Sequence, residues 1–265
     1  MSSTPTDDRV EVRRDDAVGI VTINNPPVNT LGNPVLEALL EAVESLRDDP
    51  GVRSVVIAGT GDKAFASGAD LPEFVQMLDS PDEIAYHTSL TRRLFDTISA
   101  LPQPVVAAVQ AAAVGGGLEL ALSCDLIVAD ERARLGVPEV GLGLIPGAGG
   151  TQRLPRRIGA TRAAELVLRG RLLKAGEAEQ IGLVNEVAPE GTVLDRALEL
   201  AAELASRPAV AMQAAKRAMR LGLERPLNEG LDIEHEEFLS TLASEDAREG
   251  VDAFLNRRRP EFLHR

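Results

Sequence analysis

Cysteine, histidine and lysine are all scarce in this chain of 265 residues, and each shortage removes a class of function. A single cysteine, Cys124, cannot form an intramolecular disulfide, and its flanks mark it as a small buried residue rather than a nucleophile. The histidines, His87, His235 and His264, are far apart and lack HExxH spacing, so no metal site is expected and each reads as an ordinary surface histidine. Lysine occurs only at Lys63, Lys174 and Lys216, and the net charge is −13, which argues against nucleic acid or an anionic membrane as partner because phosphate binding needs a basic footprint. No apolar run is long enough to cross a bilayer, and the polar start Ser2 to Asp8 lacks the basic and apolar regions of a signal peptide. A cytoplasmic protein is the expectation. The glycine-rich stretch from Gly141 has Pro146 where a third dinucleotide-binding glycine belongs, and no Gly-Lys-Ser/Thr follows, which argues against NAD and nucleoside triphosphates.

Against these absences, the stretch from Ala111 to Gly150 is dense in signal. An apolar lead-in reaches Gly115-Gly116-Gly117-Leu118-Glu119; then come Val137-Pro138-Glu139 and Ile145-Pro146-Gly147-Ala148-Gly149-Gly150. Consecutive glycines before Leu118 point to a helix that starts where backbone approaches something closely, with unsatisfied N–H groups aimed at negative charge. Glu119 stands in that first turn between Leu118 and Leu120. An ionised group is costly to bury unpaired, so it either faces a polar cavity or merely complements the positive helix start. Both readings stay open on these residues alone.

Along the rest of the chain, strand, loop and helix recur in an α/β pattern with crossover connections and no fixed-period repeat. Val10 to Arg14 and Val18 to Ile23 form a hairpin; Asn33 caps a helix with Pro34 in its first position. Ser54 to Ala58, Pro104 to Val109 and Leu126 to Ala129 are apolar runs of strand length, as for strands covered on both faces. Phe65 to Asp70 presents backbone, because its residues are small. Asp70 and Glu73 form a capping arrangement for a helix through Leu78, and another helix runs from Ser80 to about Ala100. Ser67 lacks a nucleophile elbow and reads as packing. Two short helices are expected between Thr151 and Gly182, then a strand at Leu183 to Val187. After Pro189 come helices at Val193 to Ser206, Ala209 to Leu223, Leu227 to Leu242 and Ser244 to Asn256. These must pack on the core or on another subunit to be stable. The division expected is a core over 1–192 and a helical segment over 193–265.

The order of motifs resembles the enoyl-CoA hydratase family of the crotonase superfamily along nearly the whole chain. The matching residues are Pro26-Pro27-Val28-Asn29-Thr30-Leu31, Lys63-Ala64-Phe65-Ala66-Ser67-Gly68-Ala69-Asp70-Leu71, Gly115-Gly116-Gly117-Leu118-Glu119-Leu120, Cys124-Asp125, Pro138-Glu139, and Ile145 to Leu154. The resemblance implies a crotonase-like spiral of ββα units with C-terminal helices that build homotrimers, often stacked as hexamers. It also implies binding of an acyl-CoA thioester with no separate cofactor, CoA being part of the substrate. Position by position, it implies an oxyanion hole from the backbone N–H groups of Ala69 and Gly116, catalytic carboxylates at Glu119 and Glu139, and help from Gly147 in fixing a water. CoA is expected along Pro27, Val28, Ala66, Asp70, Leu71 and Pro72.

Pro72 stands where relatives often carry a basic residue. Lys216, Arg217 and the Arg257-Arg258-Arg259 cluster are candidates to replace its phosphate contact, against the alternative that they are solvated surface charge. The implied reaction is syn hydration of a trans-2-enoyl-CoA, with enoyl-CoA isomerase or a specialised hydratase or lyase as alternatives. A non-catalytic acyl-CoA-binding homologue is the alternative from another class.

Overall fold

The computed structural model describes residues 8–265, so most of the polar start expected to fray lies outside the described residues. The hairpin forms as expected: β1 (Val10–Asp15) and β2 (Val18–Ile23) pair antiparallel around Asp16, which takes a positive φ of 49°. Four parallel strands then extend the sheet: β3 (Ser54–Gly59), β5 (Val105–Val109), β7 (Leu126–Asp130) and β10 (Glu186–Ala188), in the order β1-β2-β3-β5-β7-β10. Their near-continuous apolar composition follows from being covered twice. Val55, Ile57, Ala107 and Ile127 face a core shared with α1 (Asn33–Arg47), α3 (Pro81–Ala100) and α4 (Gly116–Ser123). Val56, Val106 and Val128 face the other way, onto Val193, Ala197 and Ala201 of α8 (Val193–Ala205).

A second, smaller sheet carries β4 (Ala64–Ala66), β6 (Ala112–Val114) and β8 (Arg134–Gly136) in parallel, with β9 (Leu173–Lys174) antiparallel to β8. Between Gly150 and Gly182 there are three helices rather than two: α5 (Gly150–Ile158), α6 (Ala160–Arg169) and α7 (Ala175–Gln180). Strand β10 begins later than expected because Leu183 and Val184 are buried in the turn that precedes it.

The start of α1 corrects one expectation. Asn33 is not the cap: Gly32 is, without a side-chain bond, and the Asn33 N–H donates to Glu73 Oε1 at 3.2 Å. Glu73 sits in α2 (Leu71–Met77), where its own N–H donates to Asp70 Oδ1 at 3.1 Å. The capping arrangement is therefore half formed, because the Glu73 carboxylate turns to α1 instead of back to its own helix. Freed from capping, Asn33 Oδ1 lies 2.7 Å from His87 Nδ1. His87 is thus buried rather than a surface histidine, and burial pushes its pKa down.

The C-terminal helices keep the expected spans: α8, α9 (Ala209–Gly222), α10 (Leu227–Leu242) and α11 (Glu245–Leu255). Of these, α8 packs on the large sheet itself, whereas α10 buries none of its residues. Helices α9 and α10 cross tightly at Gly222 and Gly230, where a β-carbon on Gly230 would lie 3.3 Å from the Gly222 carbonyl oxygen. Lys216 fastens α9 to the core, donating to Asp125 Oδ2 at 2.6 Å and to the Gln103 carbonyl at 2.9 Å. Among the described residues, no helix is long and apolar enough to cross a membrane.

Candidate active site

Because β4, β6 and β8 are parallel neighbours, their carboxyl ends open on one edge of the small sheet. Each hands the chain to a segment singled out above: β4 to Ser67-Gly68-Ala69, β6 to Gly115-Gly116, and β8 to Val137-Pro138-Glu139. Loops at the carboxyl ends of parallel strands diverge and leave room for a ligand. Three strand ends thus converge the candidate residues without any long-range coincidence.

The glycines let backbone close in. Gly115 has a φ of 57°, and a β-carbon there would lie 2.8 Å from Glu139 Oε1, so the Glu139 carboxylate rests against bare backbone. A β-carbon on Gly117 would lie 1.9 Å from the Ala66 carbonyl oxygen, which seats α4 directly on β4. At Gly68, a β-carbon would lie 3.0 Å from the Gly116 nitrogen, and one on Gly116 would lie 3.9 Å from the Ala69 nitrogen. The N–H groups of Ala69 and Gly116 are therefore neighbours on adjoining strand ends. Among the described residues neither donates a hydrogen bond. Donors without an acceptor at such a place are of the kind that can serve a negative oxygen.

Glu119, in the first turn of α4, is only 2% exposed. Its Oε1 accepts from the Ala148 N–H at 2.8 Å and the Gly150 N–H at 2.7 Å. Burial pushes its pKa up to about 7 against the pull of those two donors; the Glu139 charge raises it further and Arg153 lowers it. Glu139 opens a 3-10 turn (Glu139–Leu142) and is half-buried. Its Oε2 is buried with no hydrogen-bond partner among the described residues. Burial raises its pKa too, and its own backbone N–H offsets part of that rise. Two carboxyls thus meet in one partly dry site, where the field of Glu139 reaches Glu119.

The remaining expected residues fall into place unevenly. The loop of Pro27 and Val28 is stitched to the Ala69 segment: the Leu31 N–H donates to the Gly68 carbonyl at 2.7 Å, and Thr30 Oγ1 donates to Asp70 Oδ2 at 3.0 Å. Buried Asn29 ties the same loop to the approach of β4, donating to the Ala64 carbonyl at 2.9 Å. Pro27, Leu71 and Pro72 are exposed beside this seam, Val28 and Asp70 half-buried; Ala66 is fully buried, so only its backbone is available, and Gly117 covers the carbonyl. Gly147 is exposed on the turn that supplies the donors to Glu119. Those donors, Ala148 and Gly150, were missed from sequence; their only signal was the glycine-rich spacing itself. Cys124 is buried, as its flanks indicated, and burial pushes its thiol up to about 12.

The basic candidates are mostly engaged. Lys216 is buried in its pair with Asp125, which removes it as a phosphate ligand. Arg217 is paired with Glu237, and Arg258 with Glu249 and Asp252.

The raised pKa of Glu119 carries a stability consequence. A carboxyl that binds its proton more tightly folded than unfolded makes the fold lose stability as pH rises from the ordinary carboxylate range through about 7. Glu119→Gln keeps an oxygen for the two N–H donors and removes the buried charge. We expect the variant to be more stable than the parent by on the order of 3 kcal/mol at about pH 8.5, with the gap closing by about pH 4. Urea unfolding at both pH values checks it, and a variant less stable than the parent at the higher pH contradicts it.

Comparison with known proteins places the family and the fold. A family model described as enoyl-CoA hydratase/isomerase matches residues 13–265. The 2,3-dehydroadipyl-CoA hydratase of Escherichia coli is 41% identical over 256 residues, covering 96% of this chain and 98% of its own. The mitochondrial enoyl-CoA hydratase of Pongo abelii is 38% identical over 250 residues, covering 94% of this chain and 84% of its own. Among solved structures, the enoyl-CoA hydratase of Bacillus anthracis superposes with a TM-score of 0.93 at 37% identity, covering 97% of this chain and all of the other. Matched by that family model over nearly its whole length, this chain belongs to the enoyl-CoA hydratase/isomerase family and has the crotonase fold.

Proposed function

We propose that the protein is an enoyl-CoA hydratase that adds water reversibly and syn to a trans-2-enoyl-CoA, giving a 3-hydroxyacyl-CoA. The observation that carries this reading is the pair of carboxyls, Glu119 and Glu139, reaching one site from adjoining elements beside two free backbone N–H groups. A relative that only moved a double bond needs one such carboxyl. In this reading the thioester oxygen accepts from the Ala69 and Gly116 N–H groups, which polarises the conjugated double bond. Glu119 takes a proton from water as its oxygen bonds to Cβ, the π electrons move to the thioester oxygen as an enolate, and Glu139 gives a proton to Cα. Proton exchange between the two carboxyls then restores the start. Losing one oxyanion donor costs about 3 kcal/mol in other enzymes.

Hydrogen bonding separates the two carboxyls in the direction this chemistry needs. Glu119 has two backbone donors and the field of Arg153 to favour its ionised form, whereas Glu139 has an oxygen with no partner among the described residues. Exposed Leu71 and Val75 on α2, and Leu142, Leu144 and Ile145 after Glu139, supply the apolar contacts of the acyl chain. CoA, held along Pro27, Val28 and Asp70 to Pro72, belongs to the substrate, so no further cofactor is required. The cytoplasm and fatty-acid or related acyl-CoA degradation are the setting proposed.

The C-terminal helices provide the assembly surface. Leu227, Leu231, Phe238 and Leu242 on α10, with Met219 and Leu223 on α9, leave a broad apolar face exposed, larger than scattered surface residues produce. We assign it to a homotrimer, or to two trimers stacked as a hexamer. Light scattering on the purified protein is expected to give three or six times the 28.2 kDa chain mass. Leu231→Glu with Phe238→Glu should lower that mass, and a monomeric parent would remove the assignment.

Purified protein mixed with crotonyl-CoA should bleach the conjugated enoyl-thioester absorbance. Glu119→Gln and Glu139→Gln should each cut kcat by about 10²–10⁴-fold, the range for losing a general acid or base. Turnover that survives either substitution contradicts the two-carboxyl mechanism.

A further inference from the structure

Arg153 lies behind the turn that holds Glu119. It belongs to the first turns of α5, its side chain is 22% exposed, and its Nη1 donates to the Ala148 carbonyl at 3.0 Å. Its Nη2 donates to Asp96 Oδ1 on α3 at 3.1 Å. The guanidinium lies over Gly149, where a β-carbon would come within 2.1 Å of Nη1 and where φ is 113°. On the other side, Gly150 is backed by Pro146, whose Cβ would stand 2.8 Å from a β-carbon there. The turn is thus gripped from two sides between the Ala148 and Gly150 N–H groups that Glu119 Oε1 accepts from.

We propose that Arg153 is a positioning residue for Glu119: by holding the Ala148 carbonyl and tying it to Asp96, it keeps both N–H donors of the turn on one carboxylate oxygen. Arg153 touches no reacting atom and acts through the turn. The part of the inference that concerns turnover rests on the hydratase reading above; the part that concerns Glu119 does not. The charged groups around Glu119 are Glu139 across the site, which favours its protonated form, and Arg153 behind it, which favours the ionised form. From α3, Asp96 faces Arg153 and is itself shared with Arg92. Strands β4 and β6, packed against α4, bring only Ala64, Phe65, Ala66, Ala112, Ala113 and Val114. Removing Arg153 therefore takes away both the grip and the favourable charge, and the two effects act in the same direction.

The test uses the full-length protein with ¹³C-labelled glutamate carboxyls, the Glu119 resonance being assigned from its disappearance in Glu119→Gln. In Arg153→Met the Glu119 titration midpoint should move up by about one pH unit or more, as expected when a nearby opposite charge and its hydrogen bonds are lost. In Arg153→Lys, which keeps the charge but not the forked grip, it should move by less. With crotonyl-CoA, kcat of Arg153→Met should fall by about tenfold or more while KM stays within about twofold, with the acidic limb of the rate profile displaced to higher pH. An unmoved Glu119 midpoint in folded Arg153→Met overturns the proposal whether or not the parent turns over. If that variant does not fold, Arg153→Lys decides: an unchanged midpoint together with an unchanged kcat overturns it. A parent that binds crotonyl-CoA without turning it over would instead sink the hydratase reading, and the carboxyl titration would still decide the role of Arg153.

Discussion

Everything in this site depends on two backbone N–H groups at the ends of neighbouring parallel strands that have no acceptor among the described residues. Ala69 and Gly116 occupy those positions because β4 and β6 run side by side and because Gly68 and Gly116 carry no side chain to hold their backbones apart. A backbone donor cannot be supplied by a rotamer; it has to be built by the fold. That explains why the small sheet is short and alanine-rich, and why α4 sits hard against the Ala66 carbonyl through Gly117. Larger residues in either place would push the strand ends apart and the donors with them.

Holding such a site in place requires polar groups in dry surroundings, and the structure compensates each with specific partners. Asn29 spans from its own loop to the carbonyls of Thr60 and Ala64; Glu73 joins α2 to the start of α1; Lys216 joins α9 to Asp125 and Gln103. Buried polar networks of this kind fix geometry more than they add stability. The two carboxyls are the exceptions: the donors to Glu119 do not fully offset its burial, so its proton affinity stays near neutrality, and Glu139 keeps a buried oxygen with no partner among the described residues. A carboxyl poised there can both take and return a proton at working pH.

Much of this was legible in the residues. The glycine triplet followed by an isolated carboxylate pointed to a helix start presenting backbone, and α4 begins there with Glu119 in its first turn. Apolar periodicity and prolines placed the last four helices within about two residues, the usual uncertainty of helix ends. What could not be read is what long-range contacts decide. The first N–H of α1, on Asn33, is satisfied by Glu73, forty residues away, and the Asn33 side chain, not needed as a cap, pairs with His87, a residue that looked ordinary on its own. Lys216 looked like a spare cation until Asp125 was seen against it. The donors to Glu119 are backbone groups, which carry no residue signature beyond the spacing of the glycines around them.

In the proposed reaction the Ala69 and Gly116 N–H groups together polarise a bound thioester carbonyl. The most direct measurement is the infrared stretch of a ¹³C-labelled enoyl-thioester carbonyl, free and bound, in the parent and in Ala69→Pro, which deletes one N–H while keeping a small side chain. To keep the substrate intact, the spectra are taken in the Glu119→Gln background. The expected stretch is displaced to lower frequency on binding, with much of that displacement lost in Ala69→Pro. A bound carbonyl that absorbs where the free one does would contradict it.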